Sequence, residues 1–222
     1  MSTPAVPPKP MTSGPPPGRN REAIENEVKT MATVIAEMTM SLDGYVADQS
    51  DGVDELFGWY GNGPVEIHTV SDMPPFRVSE PSARHIRESM DALGAVITGR
   101  RLYDITHGWE GRHPYDAPVW LVTHEPPDDP PPGLTVTHSI EKAVAEASTA
   151  AGDGLVSVAG GITAQSALDA GLLDEIRVDL VPILLGKGIP FFPGPSTAPI
   201  HLKDPYRVIQ GHRVTHLYYR VH

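Results

Sequence analysis

The sequence predicts an α/β fold, with a mixed central sheet, helices on both of its faces and a C-terminal β-hairpin. Three observations carry this expectation. From residue 32 onward, short runs rich in Val, Ile, Leu and Tyr alternate with helical stretches. Two of these runs reach glycine and pass directly into a helix start, as strands joined by crossover helices do. The final stretch, 206–221, reads as two strands broken at Gln210-Gly211, which adds an antiparallel pair to the sheet.

Residues 1–30 stand apart. The first twenty read MSTPAVPPKPMTSGPPPGRN, with almost nothing large and apolar. Such a stretch cannot bury enough surface to offset its ordering entropy, so it is read as a disordered Pro-rich tail. Residues 21–30 suit a frayed helical turn, and an alternative start at Met31 fits the strand that follows almost at once. The folded domain is therefore expected over 31–222.

Within it, strands are expected at 33–41, 95–99, 118–123, 134–137, 155–159 and 175–185. Helices are expected at 82–93, 100–106, 140–151 and 164–170. Ser139 is placed to cap the third helix by accepting an orphan amide. Thr163 and Gly171 bracket the fourth with the usual asymmetry of polar start and glycine stop. The proline-rich stretch 126–132 is a loop.

Composition narrows the function classes. The chain has 17 basic and 28 acidic residues, a net charge of -11. That balance opposes non-specific nucleic-acid binding, which needs a basic face to displace counterions. With no cysteine, thiolate metal sites, disulfides and cysteine nucleophiles are excluded. No apolar run approaches the ~20 residues of a membrane helix. No signal-peptide stretch opens the chain, so a cytoplasmic protein without membrane partners is expected. The ten histidines show no H-E-x-x-H or comparable spacing. They are read as surface or loop residues, and no metal site is expected.

Two motifs point to an anionic ligand and a third to a residue that works on the substrate. At 97–103 a buried strand reaches Gly99, and a helix opens with Arg100 and Arg101. A helix start exposes unpaired amides, glycine lets backbone approach a ligand, and arginine forks onto phosphate. At 158–163 a strand runs through Ala159 into Gly160, Gly161 and Ile162, again presenting amides at a helix start. At 41–47, S-L-D-G-Y-V-A places Asp43 and Gly44 in a turn after a strand. Asp43 is the candidate to orient or protonate a substrate, although a carboxyl with an ordinary pKa near ~3.9 needs burial to act as an acid. Each motif read alone is also a common turn.

Their order is more specific. S-L-D-G-Y-V-A, T-G-R-R-L-Y at 98–103 and A-G-G at 159–161 come first. L-D-A-G-L-L-D-E-I-R at 168–177 and V-P-I-L-L-G-K-G-I-P-F-F at 181–192 follow. Together they resemble the dihydrofolate reductase-like superfamily. The nearest group is that of the reductase domain of the bifunctional riboflavin-biosynthesis deaminase-reductase, and the resemblance spans about residues 32–221. It implies a three-layer reductase fold, NADPH as cofactor and a homodimer.

By the resemblance, Gly99, Arg100 and Arg101 contact cofactor phosphates. Ala159, Gly160, Gly161 and Ile162 form the pyrophosphate turn. Thr123 and His124 meet the adenosine end, and Asp43 and Gly44 lie near the nicotinamide and substrate. The implied reaction is reduction of a pyrimidine- or pteridine-like molecule. The nearest named activity is 5-amino-6-(5-phosphoribosylamino)uracil reduction. The alternative is a non-catalytic NADPH- or ligand-binding protein of the same fold. The sequence departs from the family pattern. Leu102 stands where the family usually has threonine, and no H-x-E with P-C-x-x-C accompanies the domain, as a zinc deaminase would require. The acid that binds substrate in folate-reducing members has no aligned counterpart here, Glu55, Glu66 and Asp72 lying in an unmatched stretch.

Overall fold

The structure is a computed structural model that describes residues 32–71 and 73–222. The expected Pro-rich tail and Asp72 lie outside the described residues.

Strand β1 (Thr33–Ser41) is the longest of the sheet and sits inside it, because both of its faces are covered. The sheet has eight strands in the order β11-β12-β9-β1-β8-β5-β6-β7. They are β5 (Leu93–Gly99), β6 (Val119–Val122), β7 (Thr135–Thr137), β8 (Leu155–Val158), β9 (Glu175–Val181), β11 (Arg207–Gln210) and β12 (Thr215–Arg220), together with β1. The six from β9 through β7 run parallel, while β12 and β11 form the expected antiparallel hairpin against β9.

Helices cover both faces. On one, α4 (Ile140–Ala151) and α5 (Ile162–Asp169) pack Ile140, Ala143, Val144, Ala164 and Ala167 onto Val34, Ala36, Ile97, Val156 and Val158. Small alanines let the helices sit close to the sheet. On the other face, α2 (Glu80–Ala92) packs Ala83 and Ile86 with Trp59, Ile67, Val78 and Val181. Helix α3 (Arg100–Thr106) leaves β5 directly. Ser139 caps α4 as expected, accepting the Lys142 amide at 3.1 Å.

Two boundaries and one unassigned stretch depart most from the sequence reading. Helix α5 begins at Ile162 with Gly161 as its N-cap, so Thr163 lies inside the helix. The strand expected to reach residue 185 stops at Val181, because Pro182 has no amide to continue the ladder. The stretch 45–78, unassigned from sequence, contains β2 (Tyr45–Ala47), α1 (Asp54–Phe57), a 3-10 turn at Gly58–Gly61 and the hairpin β3 (Val65–Ile67) with β4 (Phe76–Val78). A further short strand, β10 (Ile189–Pro190), pairs with β2.

Candidate active-site cleft

Four neighbouring parallel strands, β1, β8, β5 and β6, end at the same edge of the sheet. Their ends are Ser41, Val158, Gly99 and Val122. The residues singled out in the sequence all follow these ends, so Asp43-Gly44, residues 159–162, 99–101 and 123–124 form one row. In open α/β sheets ligands bind outside the carboxyl ends of strands for this reason.

Direct contacts tie the row together. The Ala159 amide donates to the Ile97 carbonyl at 2.9 Å. A Cβ on Gly99 would collide with Thr163 Oγ1, so the arginine-bearing and glycine-bearing connections touch there. The Gly161 amide donates to Phe191 O at 2.9 Å, and the Phe191 amide donates to Gly44 O at 3.0 Å. One residue thereby clamps the glycine turn to the Asp43-Gly44 turn. Arg100 Nη1 donates to Glu125 O at 2.6 Å, linking α3 to the turn after β6. Thr123 Oγ1 holds that same turn by accepting the Glu125 amide at 3.1 Å. The His124 ring lies parallel to His138, with centroids 6.1 Å apart.

A dinucleotide phosphate fits these residues on steric grounds. Gly161 has φ +75° and open space where a Cβ would stand, leaving bare backbone. A Cβ on Gly160 would sit 2.9 Å from Met38 Cγ, so only glycine lets this turn pack against β1. Arg100 and Arg101 are surface-exposed, paired with Asp104 and Asp51 respectively, and such exposed pairs are weak enough to be exchanged for phosphate. Ile162, at the start of α5, is exposed.

Asp43 is arranged differently from a proton donor. Its carboxylate accepts Ser41 Oγ at 2.6 Å, the Leu185 amide at 3.1 Å and the Gly186 amide at 2.7 Å. The Ser41 hydroxyl, helped by the two backbone amides, holds its pKa below the ordinary value. Asp43 is therefore ionised at neutral pH, and it does not line the cleft. Its visible work is to staple the 182–188 segment to the end of β1.

That cleft, of about 520 Å³, opens between α2, α3 and the sheet. Ala159, Met38 and Leu102 join it to the strand-end row. Its floor comes from residues that periodicity did not single out. Glu37 and Thr39 alternate on one face of β1, and the register pairs Thr39 with Asp179 of β9 and Asp179 with His216 of β12. Asp179 Oδ1 receives His216 Nδ1 at 2.6 Å and lies 3.3 Å from His85 Nε2. The far nitrogens of the two rings meet Tyr218 Oη at 2.5 Å (His85) and Ser82 Oγ at 2.9 Å (His216).

The expectation that histidines lie at the surface or in loops is corrected here. His85, on α2, is 3% exposed and His216, on β12, is fully buried, because both pair with the Asp179 carboxylate. Burial also pushes His113 down to about 4. For Asp179, burial opposes ionisation, but hydrogen bonds from His216 and His85 win and its pKa falls. For His85, burial opposes the charged ring, but the Asp179 hydrogen bond and charge, with Glu37, raise its pKa. Burial, and then the negative charge of Asp179, raise that of Glu37. His85, Asp179 and His216 offer ligand atoms within 4.8 Å of one another. Their arrangement is that of hydrogen bonds, with every ring nitrogen engaged. The signal that marks this cluster in sequence is a charged residue inside an otherwise apolar strand: Glu37 in TVIAEMTMS and Asp179 in EIRVDLV.

The RibD C-terminal domain profile matches residues 32–208. The chain belongs to the RibD C-terminal domain family. Solved structures agree on the fold. A protein from Shewanella sp. PV-4 with a provisional assignment to riboflavin biosynthesis has TM-score 0.62 at 22% identity, covering 85% of this chain and 98% of that one. Enterococcus faecalis dihydrofolate reductase, solved with NADP(H) and RAB-propyl, has TM-score 0.52 at 16% identity, covering 86% and 98%. The Thermotoga maritima deaminase/5-amino-6-(5-phosphoribosylamino)uracil reductase has TM-score 0.56 at 17% identity, with 89% of this chain matched. This RibD C-terminal domain protein spans 58% of that bifunctional chain. Among curated protein sequences none matches it. No helix among the described residues is long and apolar enough to cross a membrane.

Proposed function

We propose that the protein is an NADPH-dependent reductase of a pyrimidine- or pteridine-like small molecule, with 5-amino-6-(5-phosphoribosylamino)uracil reduction as the nearest named activity. The supporting observation is the single row of strand ends beside a cleft: Gly99, before the twin arginines, touches Thr163, after the glycine pair, and the adjoining Leu102 and Ala159 line the cavity. Family membership supports the same reading.

In this reading NADPH supplies hydride to the substrate. Gly160 and Ile162 give backbone amides to the pyrophosphate, while Gly161, whose own amide is held by Phe191 O, leaves the turn open for it. Arg100 and Arg101 exchange their exposed carboxylate partners for cofactor phosphate. Thr123 and His124 border the adenosine end, and Ala159 and Ile162 flank the glycine pair. Gly44 shapes the first loop, held by its carbonyl, while Asp43 holds that loop to residues 185–186 and donates no proton. The protein mainly positions two rings, since proximity and orientation are what a hydride transfer requires of it. The domain at 31–222 acts as the catalytic unit, in the cytoplasm and as a homodimer, the latter checked by sedimentation.

A second reading is a binding protein without turnover. Leu102 favours it: an apolar side chain lines the cleft at the start of α3 where relatives carry a hydroxyl.

Two measurements decide. NADPH oxidation with a panel of pterins and aminouracils separates the readings, since a binder leaves absorbance constant while NADPH still titrates. Replacing Arg100 and Arg101 with alanine should weaken NADPH more than NADH, by about 1–3 kcal/mol per lost charge-assisted contact. Equal losses for both nucleotides would remove the phosphate role.

A further inference from the structure

The cleft's charge does not suit a phosphorylated substrate. A sugar phosphate carries close to two negative charges at neutral pH and is held by arginine, lysine or converging amides. Among the described residues lining this cleft there is no lysine or arginine. Two carboxyl groups, Glu37 and Asp179, face it instead.

The positive groups nearby are already engaged. Arg177 shares the sheet face of Glu37, but its Nε and Nη2 fork onto Glu175 at 3.0 and 2.8 Å. His85 spends one nitrogen on Asp179 and the other on Tyr218. His113 is neutral at physiological pH, its pKa held low by burial.

The two carboxyl groups differ in what they have left to offer. Asp179 faces two imidazoles. Among the described residues no side-chain hydrogen bond ends on Glu37, and Arg177, its register partner on β9, forks onto Glu175 instead. Glu37 is therefore the acceptor left for a ligand. Around it stand Phe57, Tyr60, Phe76, Trp109 and Tyr115, with Tyr60 stacked on Phe76 at 4.3 Å. Aromatic walls over a carboxyl floor favour a flat ring with N–H donors or positive charge.

We infer that the cleft takes a flat, phosphate-free nitrogen heterocycle whose N–H donors are bound by the Glu37 carboxyl. The inference rests on the cleft being the substrate site, and it parts from the phosphoribosyl substrate of the nearest named activity.

A matched pair tests it: 5-amino-6-ribitylaminouracil and its 5′-phosphate, titrated calorimetrically into the full-length protein. The phosphate-free probe should bind at least about tenfold more tightly, a difference of about 1.4 kcal/mol. Glu37→Gln should lower that probe's affinity about tenfold or more while NADPH affinity stays unchanged. Equal or tighter binding of the phosphorylated probe, binding of neither, or full affinity in the variant each overturns the inference. If the variant's melting curve shows it unfolded, the wild-type pair alone decides. NADPH titrated separately keeps the outcomes apart. Loss of cofactor binding with the predicted probe preference sinks the reductase reading only, and the reverse pattern sinks this inference only.

Discussion

Asp43 shows how residue type and residue role separate. An aspartate in a turn beside a proposed nicotinamide site has the composition of an acid catalyst, but its oxygens are committed to Ser41, Leu185 and Gly186. Because its folded pKa lies below the unfolded value of about 3.9, its stabilising effect is complete above that value. The effect is lost as pH falls through the lower folded pKa. Asp43→Asn should therefore melt earlier than the parent at pH 6–8, and the gap should close below about pH 4. Melting temperatures measured across that range check this, and a constant gap would show that ionisation of Asp43 is not what holds residues 185–186. Gly161 makes the complementary point. Its conformation, φ +75° and ψ -144°, is one that side-chain-bearing residues rarely adopt, and a lone Gly-Gly pair does not reveal it.

At the scale of elements, legibility follows periodicity. Strand β1 and helix α4 fall where the apolar pattern puts them, because each buries several of its own positions, and α3 keeps its expected bounds although it buries only Tyr103. The Ser139 cap is equally local, spanning three residues. Strand β9 is the instructive case. Ile176 and Val178 join the core under α4 and α5, whereas Arg177 and Asp179 face α2. Alternation of that kind normally means a solvated face, yet α2 covers it and the polar side chains satisfy one another. Asp179→Ala should cost about 3–5 kcal/mol at neutral pH, because it strands two buried imidazoles. The His85 contribution is complete below its unfolded pKa of about 6.5 and is lost as pH rises through its higher folded value. Urea unfolding of wild type and variant should therefore converge partly at alkaline pH, and a pH-independent gap would argue against a charged His85.

For the whole molecule, the proposed cofactor bridges connections after β8, β5 and β6, so it should bind the folded state alone. At a hundredfold excess over its dissociation constant, such a ligand adds about 2.7 kcal/mol. For a domain of this size that raises the melting temperature by about 5–10 °C. Differential scanning fluorimetry with NADPH, NADH and adenosine checks this. The shift should be largest for NADPH, and no shift at saturating NADPH would count against the strand-end row as its site.

What the sequence determined by itself was the succession of strands and helices, and the positions where strand ends meet glycine or arginine. Those features depend on neighbours a few residues apart, whose spacing is written in the chain. The tertiary structure decided which side chains meet. Asp43 is bound by residues 142 and 143 positions away, His85 by Tyr218 133 positions away, and His216 by Asp179 across two paired strands. Nothing local encodes such distances. The sheet register brings these groups together, and burial then makes them pair, because an unpartnered charge in the interior costs more than any local preference can return.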